Sequence, residues 1–114
     1  MKKVSELQGA ELDYAVALAV GYSKSDADRF SVRDARGISY YMPSEDWSTG
    51  GPIIEREQLA IIPVMGGTWS AEYAHQTGGD DWQEYSVDGP TLLIAAMRAF
   101  VASRFGAEVD LNQT

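Results

Sequence analysis

The sequence predicts an α+β fold, with a mainly antiparallel sheet of about four strands packed with two main helices and one short helix. Apolar residues recur at helical spacing near both ends of the chain, and short segments of alternating apolar and polar residues lie between them. Because short turns join these alternating segments, the strands should pair in antiparallel fashion. A length of 114 residues fits one domain spanning residues 1–114.

The two main helices are predicted near the chain ends. Ala10–Val20 has apolar residues every three or four positions and many alanines, and Gly21 follows as a left-handed cap. Pro90–Phe105 is apolar around most of its circumference. We therefore expect this last helix to be buried on more than one side, against the sheet and a second helix or a second subunit.

Four segments have the composition of strands. They are Phe30–Asp34, Gly37–Met42, Leu59–Ile62 and Gly67–His75. Proline cannot donate a hydrogen bond to a neighbouring strand, so Pro63 should end the third of them. Polar residues and consecutive glycines fill Gln76–Asp88, which we interpret as a long, mobile loop.

A Gly-Gly-Pro sequence at residues 50–52 indicates the start of the short helix. Proline fits the first position of a helix, where its missing N–H costs nothing. On this interpretation Pro52 opens the helix, Thr49 or Gly50 caps it, and about two turns follow.

The net charge of −8 is unevenly distributed. Acidic and basic residues balance over residues 1–36, so residues 37–114 carry the whole excess. An acidic surface repels nucleic-acid phosphates, and we therefore expect no direct binding to nucleic acid. The same charge suits a basic partner, including a protein that itself binds DNA, or merely keeps a small protein soluble.

Cysteine is absent, which removes disulfides, thiol catalysis and thiolate metal sites and is consistent with a cytoplasmic location. No apolar run approaches the length of a membrane span, and no apolar stretch of a signal peptide follows the two N-terminal lysines. We therefore expect no membrane association.

Several short motifs occur in order along nearly the whole chain. They are Val4–Leu7, Gly9–Ala17, Tyr40–Trp47, Gly50–Glu55, Gly89–Thr91 and Ile94–Ser103. In these segments the chain resembles the NinX-like family of small lambdoid phage and prophage proteins, and the broader group of phage α/β sandwich domains. The resemblance implies a fold and a phage origin, and hence a bacterial host cell. It implies no reaction and no catalytic residues.

The residues around the predicted short helix form the main candidate for a ligand site. Amides of Ser48–Gly51 before a helix could bind an anion, although an ordinary capped helix start explains the same residues. Trp47 could stack on a ligand that Asp46 orients, or the aromatic side chains could simply fill the core and one loop. The candidate ligand-binding residues are Asp46, Trp47, Ser48, Thr49, Gly50, Gly51 and Arg98.

Arg98 is included because it lies midway along the apolar last helix. A buried charge requires a partner. We expect a structural ion pair with a carboxylate such as Asp46 or Glu55; the alternative is that Arg98 binds an acidic ligand or partner.

No group of residues indicates catalysis or a metal site. His75 is the single histidine, the acidic residues near position 80 match no calcium-binding loop, and no Gly-x-Ser-x-Gly motif is present. We therefore expect a non-catalytic phage accessory protein without a cofactor, which binds a host or phage protein in the cytoplasm. The alternative is a small-molecule or nucleotide-binding module.

Self-association is also expected. The last helix has more apolar circumference than packing on one side would cover, and shared burial in a two-fold homodimer would solve this. The competing explanation is that the sheet and the helices of a single chain cover one another, so that no second chain is needed.

Overall fold

The computed structural model describes residues 2–25, 27, 41–78 and 81–111, with the backbone alone for residues 74–78 and 81–85. Of the predicted strands, Phe30–Asp34 and most of Gly37–Met42 lie outside the described residues. Tyr41 and Met42 are described and are not in a strand.

The described elements include two consecutive helices followed by three consecutive strands, which is typical of an α+β fold. Their order is β1 (Lys2–Lys3), a 3₁₀ turn (Val4–Glu6), α1 (Gly9–Val20), α2 (Trp47–Glu57), β2 (Ala60–Val64), β3 (Thr68–Gly78), β4 (Asp81–Gly89), α3 (Leu92–Phe105) and β5 (Glu108–Val109). Both predicted main helices are confirmed, and Gly21 ends α1 with a φ of 120°.

The strands form two antiparallel sheets. β2, β3 and β4 make one sheet in that order, and β1 pairs with β5 near the two ends of the described chain. In the larger sheet Ala71 of β3 lies between Ile61 of β2 and Val87 of β4. These three paired residues face the core, since Ala71 and Val87 are buried and Ile61 packs against the buried cluster. The predicted antiparallel arrangement is therefore confirmed.

The predicted mobile loop over Gln76–Asp88 is wrong. β3 continues to Gly78, and β4 begins at Asp81 and pairs with β3 as far as Gly89. The segment was mistaken because its residues are mostly polar. Such residues suit β4, because it lies at an edge of the described sheet and an antiparallel sheet can face water on one side.

Pro63 does not end β2 but lies inside it, paired with Trp69. β2 is at the other edge of the described sheet, with β3 on one side. A proline is tolerated in an edge strand because an N–H directed away from the sheet has no strand partner to lose. The predicted stop at Pro63 is therefore wrong.

α2 is longer than predicted and begins earlier. Trp47 is its first residue, Asp46 is its N-cap, and Pro52 lies inside the helix. The predictions that Pro52 opens the helix and that Thr49 or Gly50 caps it are wrong. Asp46 is a strong N-cap residue, and its carboxylate fixes the start before the glycines are reached.

α3 is the centre of the core. It packs against β3, β4, α1 and α2. Its buried residues are Leu93, Ala95, Ala96, Met97, Arg98, Ala99, Phe100, Val101 and Ala102. Burial on more than one side is confirmed, and elements of the same chain supply it.

Candidate functional site

The first turn of α2 is held together by the Asp46 carboxylate. Its Oδ1 accepts hydrogen bonds from the Ser48 backbone N–H at 3.0 Å and the Ser48 hydroxyl at 2.8 Å, and its Oδ2 accepts from the Thr49 hydroxyl at 3.1 Å. These bonds, first the Ser48 hydroxyl, then the Ser48 N–H and then Thr49, lower the pKa of Asp46. An external anion at this turn would have to displace Asp46, since the protein's own carboxylate already occupies these donors.

The glycines of the Gly-Pro motifs allow close packing around α3. A Cβ on Gly50 would clash with the carbonyl oxygen of Pro43 and lie 2.9 Å from the Leu93 Cδ2. A Cβ on Gly89 would lie 2.6 Å from the backbone nitrogen of Ala95. Both glycines therefore let another segment approach α3, whereas Gly51 has only an ordinary contact with Trp47, at 3.5 Å.

A cavity of about 370 Å³ opens beside Trp47, and we call it the Trp47 cavity. Trp47 is 57% exposed although it is a large aromatic residue, because it is the first residue of α2 and lies at the molecular surface. The start of α3 forms the opposite wall, and Thr91 caps that helix by accepting a hydrogen bond from the Ile94 N–H at 3.1 Å. The lining residues are Ser44, Glu45, Trp47, Thr91, Leu92, Leu93 and Ile94.

Ser44 anchors the floor of the Trp47 cavity to α1. Its backbone N–H donates to the Asp13 Oδ1 at 2.9 Å, and both residues are buried. The Ser44 Oγ is sealed from solvent and makes no hydrogen bond with any described group. The hydrogen bond to Asp13 fixes the chain just before α2, so this side of the cavity is formed in advance of any ligand.

A second cavity, of about 480 Å³, lies at the end of β4 and is called here the Arg98 cavity. Arg98 is only 7% exposed. Its Nε donates to the Leu7 carbonyl at 2.7 Å and its Nη1 to the Asp88 carbonyl at 2.8 Å. The lining residues are Ser5, Thr68, Ser86, Val87, Asp88, Gly89, Pro90 and Arg98.

The predicted ion pair of Arg98 with Asp46 or Glu55 is wrong. Within the described part of the chain, Arg98 has backbone carbonyls as its partners and no carboxylate. Burial lowers the pKa of Arg98, because removal from water disfavours the charged guanidinium. The dipoles of the Leu7 and Asp88 carbonyls compensate part of the cost of burying the charge. These two residues are far apart in sequence.

Comparison with known families gives the origin of the chain. Residues 3–104 match the family described as Bacteriophage P22, NinX. The chain belongs to this family. The match confirms the resemblance and identifies a phage protein, and it includes every residue that lines the two cavities. No curated protein matches the chain.

In this NinX-family protein the predicted site residues are not brought together. Asp46, Ser48 and Thr49 form the helix cap, and Trp47 beside them lines the Trp47 cavity. Arg98 lines the other cavity, which Trp47 does not reach. Sequence reasoning missed Ser44, Glu45 and Thr91 around Trp47, and Ser5, Thr68 and Ser86 around Arg98. Isolated serines and threonines give no sequence signal.

Among the residues whose structure is described, no three His, Cys, Asp or Glu residues are grouped so that they could hold a metal ion. None of the helices in that part of the NinX-family chain has the length and apolar character needed to cross a bilayer.

Proposed function

We propose that this NinX-family protein is a non-catalytic phage accessory protein that binds a host or phage protein through the Trp47 cavity. The partner segment would present one apolar side chain beside basic residues. The interaction would take place in the cytoplasm of the bacterial host, without direct contact to nucleic acid or membrane. The exposure of Trp47 beside a cavity is the observation that carries this proposal.

Trp47 has the properties of an interface anchor. Tryptophan is enriched among residues that dominate binding energy, particularly beside an apolar pocket that excludes water. Here the indole is 57% exposed, and Leu92 and Ile94 are half-buried in the same cavity. An apolar side chain inserted there would cover all three. A volume of about 370 Å³ is enough for a side chain but small for a folded element.

The charge around the cavity supports a basic partner. Glu45 and Asp46 directly precede Trp47 in sequence, and both are exposed. The pKa of Asp46 is lowered by the hydrogen bonds of the helix cap, which keeps this carboxylate ionised. The net charge of −8 would speed the encounter with a basic segment and oppose acidic competitors.

The rigidity of the cavity walls also favours binding. The Asp13–Ser44 hydrogen bond holds one wall, and the close packing of Gly50 against Pro43 and Leu93 fixes α2 against α3. A site formed in advance loses less conformational entropy when a partner binds.

The test is capture from a bacterial host lysate, followed by measurement with the purified partner. The wild type is compared with Trp47→Ala, and Phe105→Ala is the matched control because Phe105 is an aromatic residue that is 42% exposed and lies outside both cavities. We expect Trp47→Ala to weaken binding at least tenfold, or about 1.4 kcal/mol, and Phe105→Ala to leave it unchanged. Equal recovery by Trp47→Ala, or no protein above background, would contradict the proposal.

A small-molecule or nucleotide-binding module is the second candidate, and the Arg98 cavity is the observation that favours it. A single ligand site cannot contain Trp47, the Ser48–Gly51 turn and Arg98 together. The Trp47 and Arg98 side chains line different cavities. A thermal-shift panel of nucleotides and metabolites separates the candidates. Stabilisation that persists in Trp47→Ala would place the ligand outside the Trp47 cavity and favour the Arg98 cavity.

A further inference from the structure

The guanidinium of Arg98 has donors that the described chain does not use. A guanidinium carries five N–H groups. The Nε donates to Leu7 and the Nη1 to Asp88, and both acceptors are neutral backbone carbonyls. The Nη2 has no hydrogen-bond partner among the described residues. It is also not among the unpaired side-chain atoms that are closed off from solvent. A nearly buried cation thus keeps free donors beside a cavity of about 480 Å³.

The other residues of the Arg98 cavity complete a polar and apolar lining. Ser5, Thr68 and Ser86 are exposed, so their hydroxyls can donate to a ligand in the cavity. Val87 and Pro90 add apolar surface. Three separate parts of the chain besides α3 contribute to this lining, and the hydrogen bonds of Arg98 connect two of them to α3.

We propose that the Arg98 cavity binds a small organic monocarboxylate, with the guanidinium paired to the carboxylate and the apolar body against Val87 and Pro90. The fork of N–H groups in arginine matches the two oxygens of a carboxylate. This site is separate from the Trp47 cavity, and the proposal does not depend on the protein-binding function.

The surroundings of Arg98 select a monoanion over a phosphate. Among the described residues that line the cavity, Arg98 is the one basic residue, and Asp88 is also present. With a net charge of −8, a dianion would meet stronger repulsion than a single carboxylate. The position after β4 and before α3 also lacks the glycine-rich loop and lysine of a nucleotide phosphate site.

The experiment is a titration followed by nuclear magnetic resonance of the Arg98 Nε–H and the amides of residues 86–89. Sodium isobutyrate, acetate, phosphate and chloride are compared at constant ionic strength. We expect saturable shifts with isobutyrate, at least about tenfold tighter than with phosphate or chloride, because a carboxylate matches the guanidinium fork. Acetate should bind more weakly than isobutyrate, because it has less apolar surface to bury.

Variants separate binding from stability. Arg98→Lys keeps the charge but loses the fork, and should remove the preference for carboxylate. Because that variant could fail to fold, two milder changes accompany it. Asp88→Asn keeps the carbonyl that Arg98 uses and should tighten binding about threefold, the effect of one unit charge removed across several ångströms of solvated cavity. Ser86→Ala should weaken binding, whereas Ser70→Ala, outside the cavity, should not.

Several outcomes would overturn the proposal. Isobutyrate shifts that do not saturate, or that equal those of chloride, would show that Arg98 has a structural role alone. Tighter binding of phosphate would contradict the choice of a monocarboxylate. No change in Asp88→Asn and Ser86→Ala would place the bound anion outside the Arg98 cavity.

Discussion

Arg98 and Leu7 are joined by a 2.7 Å hydrogen bond from the Arg98 Nε to the Leu7 carbonyl, across 91 positions of sequence. Leu7 is 2% exposed, and its carbonyl follows the 3₁₀ turn at the start of the described chain. The same guanidinium donates to Asp88 at the end of β4. One side chain of α3 therefore connects the N-terminal segment with the larger sheet.

Replacement of Arg98 by an apolar residue should destabilise the fold. Arg98→Met keeps much of the packing but leaves the Leu7 and Asp88 carbonyls without their donors. We expect a loss of about 1–3 kcal/mol in the free energy of unfolding, because the unpaired Leu7 carbonyl is buried, whereas the bond to Asp88 is part-buried and water can replace its donor. Urea denaturation measures this.

The matched control for Arg98 is Arg104→Met. Arg104 pairs with Glu57 at 2.8 Å, but its side chain is 43% exposed. An exposed ion pair is worth about 1 kcal/mol or less. Equal losses in the two variants would show that the carbonyl contacts of Arg98 do not stabilise the fold.

The two neighbouring glycines of α2 should respond differently to alanine. Gly50→Ala places a Cβ against the Pro43 carbonyl and Leu93, and should cost about 1–3 kcal/mol. Gly51→Ala has only an ordinary contact with Trp47, at 3.5 Å, and should change stability by less than about 1 kcal/mol, because the higher helix propensity of alanine is opposed by the contact of its Cβ with Pro52. Thermal and urea denaturation of both variants check this. A neutral Gly50→Ala would mean that α2 is not held so close to Pro43.

The sequence predicted well those elements whose formation depends on residues close together in the chain. Apolar residues at helical spacing in α1 and α3 indicate both the helices and the faces that they bury. β4 was missed because its residues are polar and its stability comes from pairing with β3, which is a non-local interaction. The start of α2 was misplaced because Pro52 has a strong local preference, whereas the capping bonds of Asp46 decide the boundary.

The candidate site was less predictable because its contacts are distant in sequence. Trp47 lines a cavity and Arg98 lines a different one, but nothing in the sequence separates the two. The acceptors of Arg98 are backbone carbonyls, which every residue possesses, so no residue type indicates them. The Asp13–Ser44 hydrogen bond joins residues 31 positions apart, and Asp13 lies in a helix whose sequence gives no sign of a buried carboxylate.

The burial of α3 gives a sharp difference between two phenylalanines. Phe100 is fully buried, whereas Phe105, at the end of the same helix, is 42% exposed. Phe100→Asp should abolish cooperative folding, since burial of an unpaired carboxylate costs several kcal/mol against a total stability of about 5–15 kcal/mol. Phe105→Asp should retain a cooperative melt, which circular dichroism can follow. Similar melting of Phe100→Asp and the wild type would contradict the position of α3 in the core.

Asp46 should make stability depend on pH in the acid range. Its folded pKa is lowered, so its contribution is fully present above the unfolded value of about 3.9 and is lost as pH falls through the folded pKa. Ser48→Ala should raise the pKa of Asp46, because the Ser48 hydroxyl is the largest cause of the shift. Titration of the Asp46 carboxyl carbon by nuclear magnetic resonance measures this pKa in the wild type and in Ser48→Ala. An unchanged pKa in Ser48→Ala would remove the hydrogen-bond explanation.

Self-association stays a prediction, but the structure changes its reason. The chain itself buries α3, so that helix needs no second copy. Instead, apolar side chains are exposed in β2 and in the turn that follows it. Ile62 is 41%, Val64 38% and Met65 98% exposed, and we call these three the hairpin patch. Apolar surface of this kind commonly marks an interface. Pro63 lacks the N–H that strand addition would use, so we expect contact between faces and not between strand edges.

Light scattering at about 100 µM, where weak dimers of micromolar affinity assemble, should give a mass near twice the 12.5 kDa of one chain. Added salt should strengthen the dimer, because two chains of charge −8 repel each other. Met65→Asp should restore the mass of a single chain. Val20→Asp is the matched control, since it adds the same charge at an exposed apolar residue of α1, outside the hairpin patch. A wild-type mass near 12.5 kDa excludes the dimer, and equal effects of the two variants would place the interface elsewhere.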